Sequence, residues 1–163
     1  MARLFVAVAL FGVVAFAAAE KEWTGKTWLG SWASTDRAEN WEAFVDALGL
    51  PSDQYPREVQ RTIHTIYKQG DKYHHEVSIP SKNFKKAIEY TLGTETDVQH
   101  GPHTIKLKYT EDGEKLVADV QIPSKNKQIH DIYEVQGDTL TKTYKVGDVV
   151  AKRWFTREAN PTA

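Results

Sequence analysis

HTIKLKYTEDGEKLVADVQIPSKN occupies residues 103–126 of a 163-residue chain and holds two extended runs, the turn between them and the start of the next link. In HTIKLKYT apolar and polar side chains alternate, so one face of the segment meets a core and the other meets water. EDGE reads as a turn and KLVADVQI as a second strand. A link this short has no room for a crossover helix, so the two strands pair as an antiparallel hairpin.

The same pattern continues in both directions. RTIHTIYK, KYHHEVSI and KAIEYTLG precede it, and QIHDIYEV, LTKTYK and VVAKRWFTRE follow, with QGDK, TETD, QGDT and VGD among the links. With one further strand around Lys26 to Thr35, nine or ten consecutive antiparallel strands are expected. The fold class is therefore all-β. An up-and-down barrel accommodates such a chain, because closing the sheet removes its exposed edges; a two-sheet sandwich with Greek-key links is the alternative.

The pentapeptide IPSKN occurs at residues 79–83 and again at 122–126, with four strands between the copies. Successive turns of a meander alternate between the two ends of a barrel, so both copies belong on one rim, which is also the rim of the helical segment. Proline sits naturally at a strand terminus, and serine and asparagine form turns. One local solution used twice explains the repeat. The lysines beside it allow a second reading: Lys82, Lys85 and Lys86 accompany the first copy, Lys125 and Lys127 the second, while Asp71, Glu111, Asp112, Glu114 and Asp138 fall on the opposite rim. A polarity of this kind would orient the molecule at an anionic membrane surface. The alternative is a set of solvated loops.

Ahead of the strands, AENWEAFVDALG at residues 38–49 places Trp41, Phe44, Val45 and Leu48 on one helix face, and Gly49 and Pro51 end the helix. A second short helix is expected from Asp53 to about Gln60, with Ser52 or Asp53 as N-cap and Pro56 in its first turn. Residues 1–19, MARLFVAVALFGVVAFAAA, read as a secretory signal peptide, leaving residues 20–163 as the barrel domain. Their apolar run is shorter than the roughly 20 residues of a spanning helix, a retained anchor being the alternative.

Cleavage after Ala19 removes only Arg3 from the 21 Lys+Arg, leaving 20 against 22 Asp+Glu and a net charge of −2. That balance argues against a nucleic-acid partner. The chain has no cysteine, which excludes thiol nucleophiles, thiolate metal sites and disulfides. His74 and His75 point to opposite faces of a strand, and His100 and His103 flank a turn without a carboxylate at ligand spacing, so no metal site is expected. G-x-S-x-G, H-E-x-x-H and phosphate-loop motifs are absent, and neither an enzyme activity nor a cofactor is expected.

LGSWASTDRAENWEAFVDALGL, residues 29–50, resembles the opening of intracellular fatty-acid-binding proteins of the calycin superfamily. IEYTLGTETD and VVAKRWFTRE resemble their middle and last strands, and the likeness spans nearly all of residues 28–158. With the leader, the chain looks like the secreted members found in nematodes and other invertebrates. The resemblance implies a ten-stranded antiparallel up-and-down barrel, a β-clam, capped by two short helices between the first two strands. A fatty acid or similar hydrophobic ligand would be carried inside it, by a monomer, with entry at the helical rim through movement of the second helix and the first IPSKN turn.

In this family an Arg-x-Tyr pair on the last strand, with an Arg from two strands earlier, holds the ligand carboxylate. Arg153 matches the first member, Phe155 stands where the hydroxyl would be, and Tyr133 falls on the earlier Arg position. The likeness also implies that Tyr144, Trp41 and Val45 face the cavity and that Phe84 is the portal aromatic. A buried guanidinium requires an anion; a ligand carboxylate would supply it, or Asp131 on the neighbouring strand. With one arginine missing, a neutral retinoid, sterol-like molecule or pigment is the alternative ligand. The segment between Trp32 and Asn40 is one residue longer than the family pattern, and Ser34 stands at a normally apolar place. A lipocalin also opens with Gly-x-Trp but lacks the helical pair; a storage protein without a defined ligand is a further alternative.

Overall fold

The computed structural model describes residues 18–52 and 55–162, so nearly all of the leader expected over residues 1–19 lies outside the described residues. A two-residue strand β1 (Lys21–Glu22) precedes β2 (Gly30–Glu39), helix α1 (Trp41–Leu48), β3 (Ile63–Gln69), β4 (Lys72–Ile79), β5 (Phe84–Tyr90) and β6 (Glu95–His100). β7 (His103–Asp112), β8 (Lys115–Ile122), β9 (Lys127–Gln136), β10 (Thr139–Val146) and β11 (Val149–Glu158) complete the chain.

Consecutive strands pair antiparallel, and β2 closes on β11. β5 and β6 alone, among sequence neighbours in this circuit, do not pair. The result is a ten-stranded up-and-down barrel with one slot, and β1 lies beside the far end of β3. β6 falls within the residues whose sequence reads partly as the turn TETD. Its side chains alternate between exposed and half-buried, as suits a strand with a free edge.

The closing pair carries the irregularity foreshadowed by the long Trp32–Asn40 segment. Phe155 faces Ser34 and Arg153 faces Ala38, so two residues of β11 span four of β2. The bulge is held by Thr35, whose Oγ1 donates to the Trp154 carbonyl at 3.1 Å, and by the Arg37 guanidinium stacked 3.6 Å from the Trp154 ring centre. At the start of β2 a Cβ on Gly30 would sit 2.7 Å from Arg157 Nη1, and the residue has φ 131, so the first position of Gly-x-Trp requires glycine.

Both IPSKN copies build the same corner at the same end. Pro-Ser-Lys forms one turn of 3₁₀ helix, and the asparagine N–H bonds back to the proline carbonyl at 3.1 Å in each copy. Asn83 and Asn126 are left-handed, with φ of 48 and 50. Asparagine tolerates that region better than other side chains.

Helix α1 buries Trp41, Phe44, Val45 and Leu48, the face read from the sequence, and Gly49 ends it at φ 64. It starts at Trp41 rather than Ala38, because β2 runs through Glu39 and Asn40 turns the corner at φ 54. Among the described residues this is the one α-helix, where two were expected. Residues 53 and 54 lie outside the described residues, and 55–60 are not helical. One helical-type bond, from Tyr55 N to Pro51 O at 3.0 Å, is present there. Beyond it, Pro56 O, the carbonyl a helix would offer to Gln60 N, accepts from Trp41 Nε1 instead, and Gln60 O at the end of the segment accepts from Arg153.

Two apolar clusters fill the ends of the barrel. Trp28, Leu29, Trp32, Tyr90, Leu116 and Phe155 belong to the one away from the helix; Trp41, Phe44, Leu48, Ile122, Tyr144 and Val146 lie beneath it. Replacing Asn83 or Asn126 by alanine is expected to lower stability by about 1 kcal/mol, and replacing either by glycine to change it by less than about 0.5 kcal/mol. Urea unfolding midpoints of the four variants check this.

Candidate functional site

Closing the barrel forces every second side chain inward, and at mid-height those side chains are not all apolar. Thr62 and His64 on β3 or just before it, His75 on β4, Asp131 on β9, Lys142 on β10 and Arg153 on β11 are all buried. They line, with Trp41, Tyr55, Tyr109, Tyr133 and Tyr144, a cavity of about 450 Å³ that opens toward Lys82, Phe84 and Glu58 at the helical rim. That volume lies within the ordinary range for a small-molecule site.

Arg153 is 3% exposed. Its Nη1 donates to Thr62 Oγ1 at 3.1 Å and its Nη2 to Gln60 O at 2.7 Å, while Nε has no partner among the described residues. The guanidinium carbon lies 5.2 Å from the Trp41 ring centre. Asp131 is not its counterion. Two strands away rather than on the neighbouring one, Asp131 pairs through Oδ2 with Lys142 Nζ at 3.0 Å. Burial works against both charges, raising the Asp131 carboxyl and opposing the lysine, but each holds the other charged across this short contact, and Asp131, followed by Tyr133, Tyr144 and Tyr55, keeps the Lys142 pKa well above the ordinary value. One carboxylate and two cations therefore share the interior, and Arg153 has no ion-pair partner among the described residues.

A neutral relay adjoins the charged group. His64 Nδ1 and His75 Nε2 are 2.8 Å apart, and His75 Nδ1 and Tyr109 Oη are 2.7 Å apart. Burial holds both imidazoles below their usual pKa, His64 well below it and His75 at about 3. Both are neutral at physiological pH.

Of the residues expected to line the cavity, Arg153, Tyr133, Tyr144, Trp41 and Phe84 do so. Val45 and Phe155 pack in the clusters on either side of it. Phe155 contributes a surface, with the His64 ring 5.0 Å and the Arg153 guanidinium 5.5 Å from its centre. Among the rim lysines, Lys82 and Lys86 reach the mouth, Lys85 pairs with Glu76 at 2.9 Å, and Lys86 donates to the Gln99 carbonyl across the slot. Lys125 is exposed and Lys127 half-buried.

Lys142, His64 and the relay are not singled out by the sequence reading. Period-two alternation carries the signal for Lys142, because an inward Tyr144 places Lys142 inward as well. His64 shares the parity of Ile66 in the same way.

No family model matches the chain. "Secretory-abundant heat soluble protein 33020", from the genus Hypsibius, is 63% identical over the whole of both chains. The crystal structure of a secretory-abundant heat soluble protein from Ramazzottius varieornatus superposes with a TM-score of 0.81 at 55% identity, covering 84% of this chain and 99% of that one. The liver fatty acid-binding protein of Mus musculus is 32% identical, over 71% of this chain and 87% of its own length.

The buried imidazoles set a pH dependence. In the unfolded chain they titrate near 6.5 and in the fold far lower, so below pH 6.5 the unfolded state binds more protons and stability falls. Full stability is expected above pH 6.5, with each histidine withdrawing about 1.4 kcal/mol per pH unit as the pH drops. For His75 the loss continues to about pH 3. Urea unfolding at pH 7.0, 6.0 and 5.0 reads the slope, and His75→Phe is expected to reduce it by one proton's worth.

Proposed function

This chain belongs to the secretory-abundant heat soluble protein family and, through it, to the wider fatty-acid-binding protein family, and we propose that it is a secreted carrier of a fatty acid or similar amphiphile with an anionic head. The observation that carries this reading is the buried, uncompensated cation. Arg153 lies in a cavity wall with neutral partners only, beside an Asp131–Lys142 pair that is already balanced. Enclosing such a charge is costly, and an anion that enters with its own apolar tail offsets the cost.

The tail supplies most of the affinity. Each methylene removed from water contributes about 0.8 kcal/mol, and the upper wall offers Val77, Ile79, Phe84, Ile88, Val98 and Ile105 to it. Tyr133 and Tyr144 lie beside Lys142, whose ammonium sits 4.8 and 4.3 Å from their ring centres. The head is thereby steered toward Arg153.

Entry lies between the segment after α1 and the first IPSKN turn. Gln60 joins the two: its Oε1 accepts from Ser81 Oγ at 2.9 Å and its carbonyl accepts from Arg153. A carboxylate that engages Arg153 competes with that carbonyl and loosens the mouth. The rim lysines Lys82, Lys85, Lys86, Lys125 and Lys127 bring the mouth to anionic membranes for exchange.

Arg153→Leu is expected to weaken hexadecanoate binding about 10- to 100-fold, the worth of hydrogen bonds to a charged group, without lowering stability. Titration calorimetry and urea unfolding read the two effects; unchanged affinity overturns the assignment of the head group. Exchanging the five rim lysines for serine is expected to abolish salt-dependent binding to vesicles of phosphatidylserine and phosphatidylcholine. Sedimentation at low and high salt measures it.

A further inference from the structure

Three buried polar atoms in the wall of the cavity have no partner among the described residues: Arg153 Nε, His64 Nε2 and Asp131 Oδ1. Their donor and acceptor roles can be assigned. Arg153 Nε is a donor, and ionised Asp131, whose other oxygen is on Lys142, is an acceptor.

His64 follows from the relay. With Tyr109 donating to His75 Nδ1, and His75 Nε2–H donating to His64 Nδ1, one donor is left over, the N–H at His64 Nε2. Running the relay the other way leaves two groups unmet, the Tyr109 hydroxyl hydrogen and the His64 Nε2 lone pair. The first direction is the better satisfied one.

These atoms belong to one neighbourhood. His64 and Arg153 pack on the same Phe155 ring, and His64 lies edge-on to Tyr133, over which Lys142 holds Asp131. The carboxylate of an unmodified fatty acid only accepts, so it leaves Asp131 Oδ1 without a donor. A hydroxyl is the smallest ligand group that can accept from His64 Nε2 and donate to Asp131 Oδ1 at once.

Resting on the carrier reading above, we propose that the preferred ligand is a long-chain fatty acid hydroxylated close to its carboxylate. The carboxylate sits on Arg153, and the hydroxyl accepts from His64 Nε2 and donates to Asp131 Oδ1. Sites built to hydrogen-bond a substrate hydroxyl discriminate against the analogue that lacks it, because their buried polar groups are then left unpaired.

The test compares hexadecanoate with 2-hydroxy- and 3-hydroxyhexadecanoate on the delipidated protein by titration calorimetry. At least one hydroxy acid is expected to bind about tenfold more tightly than hexadecanoate, and His64→Phe to collapse that ratio. Imidazole ¹⁵N resonances of the unaltered protein give a readout independent of any variant: His64 Nε2 is expected to shift on adding the tighter hydroxy acid and to stay in place with hexadecanoate. Equal affinities, a ratio that persists in His64→Phe, or identical ¹⁵N spectra overturn the proposal while hexadecanoate binding leaves the carrier reading standing. If none of the three acids binds, both fall.

Discussion

A sheet that closes on itself has an inside, and in this chain the hydrogen bonds between β2 and β11 create it. Once those strands meet, alternation leaves no choice about which side chains are enclosed. Leu140, Lys142, Tyr144 and Val146 go in together, and so do Ile129, Asp131 and Tyr133. Polar residues at those positions would lie in water on an open two-faced ribbon. Here they must find partners among themselves, and the Asp131–Lys142 pair and the His64–His75–Tyr109 relay are the result. Arg153 differs, being met only by a hydroxyl and a peptide carbonyl.

The fold was readable where local and global preferences agreed. HTIKLKYT and KLVADVQI alternate because one side of each is buried, and IPSKN repeats because the same 3₁₀ corner with a left-handed asparagine is built twice. The helix face was legible from its spacing. Residues 55–60 are not the helix expected there because their constraint is tertiary: nothing local in the sequence reveals that the Pro56 carbonyl, which a helix would need, goes to Trp41, or that Arg153 holds Gln60. ETDVQH was hidden for the opposite reason. A strand with a free edge carries the charges of a turn.

The site was legible in part. Arg153 came from a family motif, and Tyr133 and Tyr144 from position and parity. Lys142 could have come from the same parity, since it is two residues from Tyr144. The relay could not, because it joins β3, β4 and β7, and strand pairing does not reveal that His75 and Tyr109 meet across the interior. Likewise, sequence offered Asp131 to Arg153, whereas the strand order puts Lys142 between them and gives it the carboxylate.

The slot between β5 and β6 leaves two strand edges without a ladder between them. Two neighbouring strands with free peptide groups form a docking template for any stray extended segment. The outward positions along it are Lys85, Ala87 and Glu89 on one side and Glu95, Asp97 and Gln99 on the other. Lys106 pairs with Glu95 and Asp97, and Glu76 with Lys85, so charges of both signs are interspersed along this flank. The open flank of the barrel is thus lined outward by charged and polar side chains rather than by a greasy seam that would favour edge-to-edge pairing.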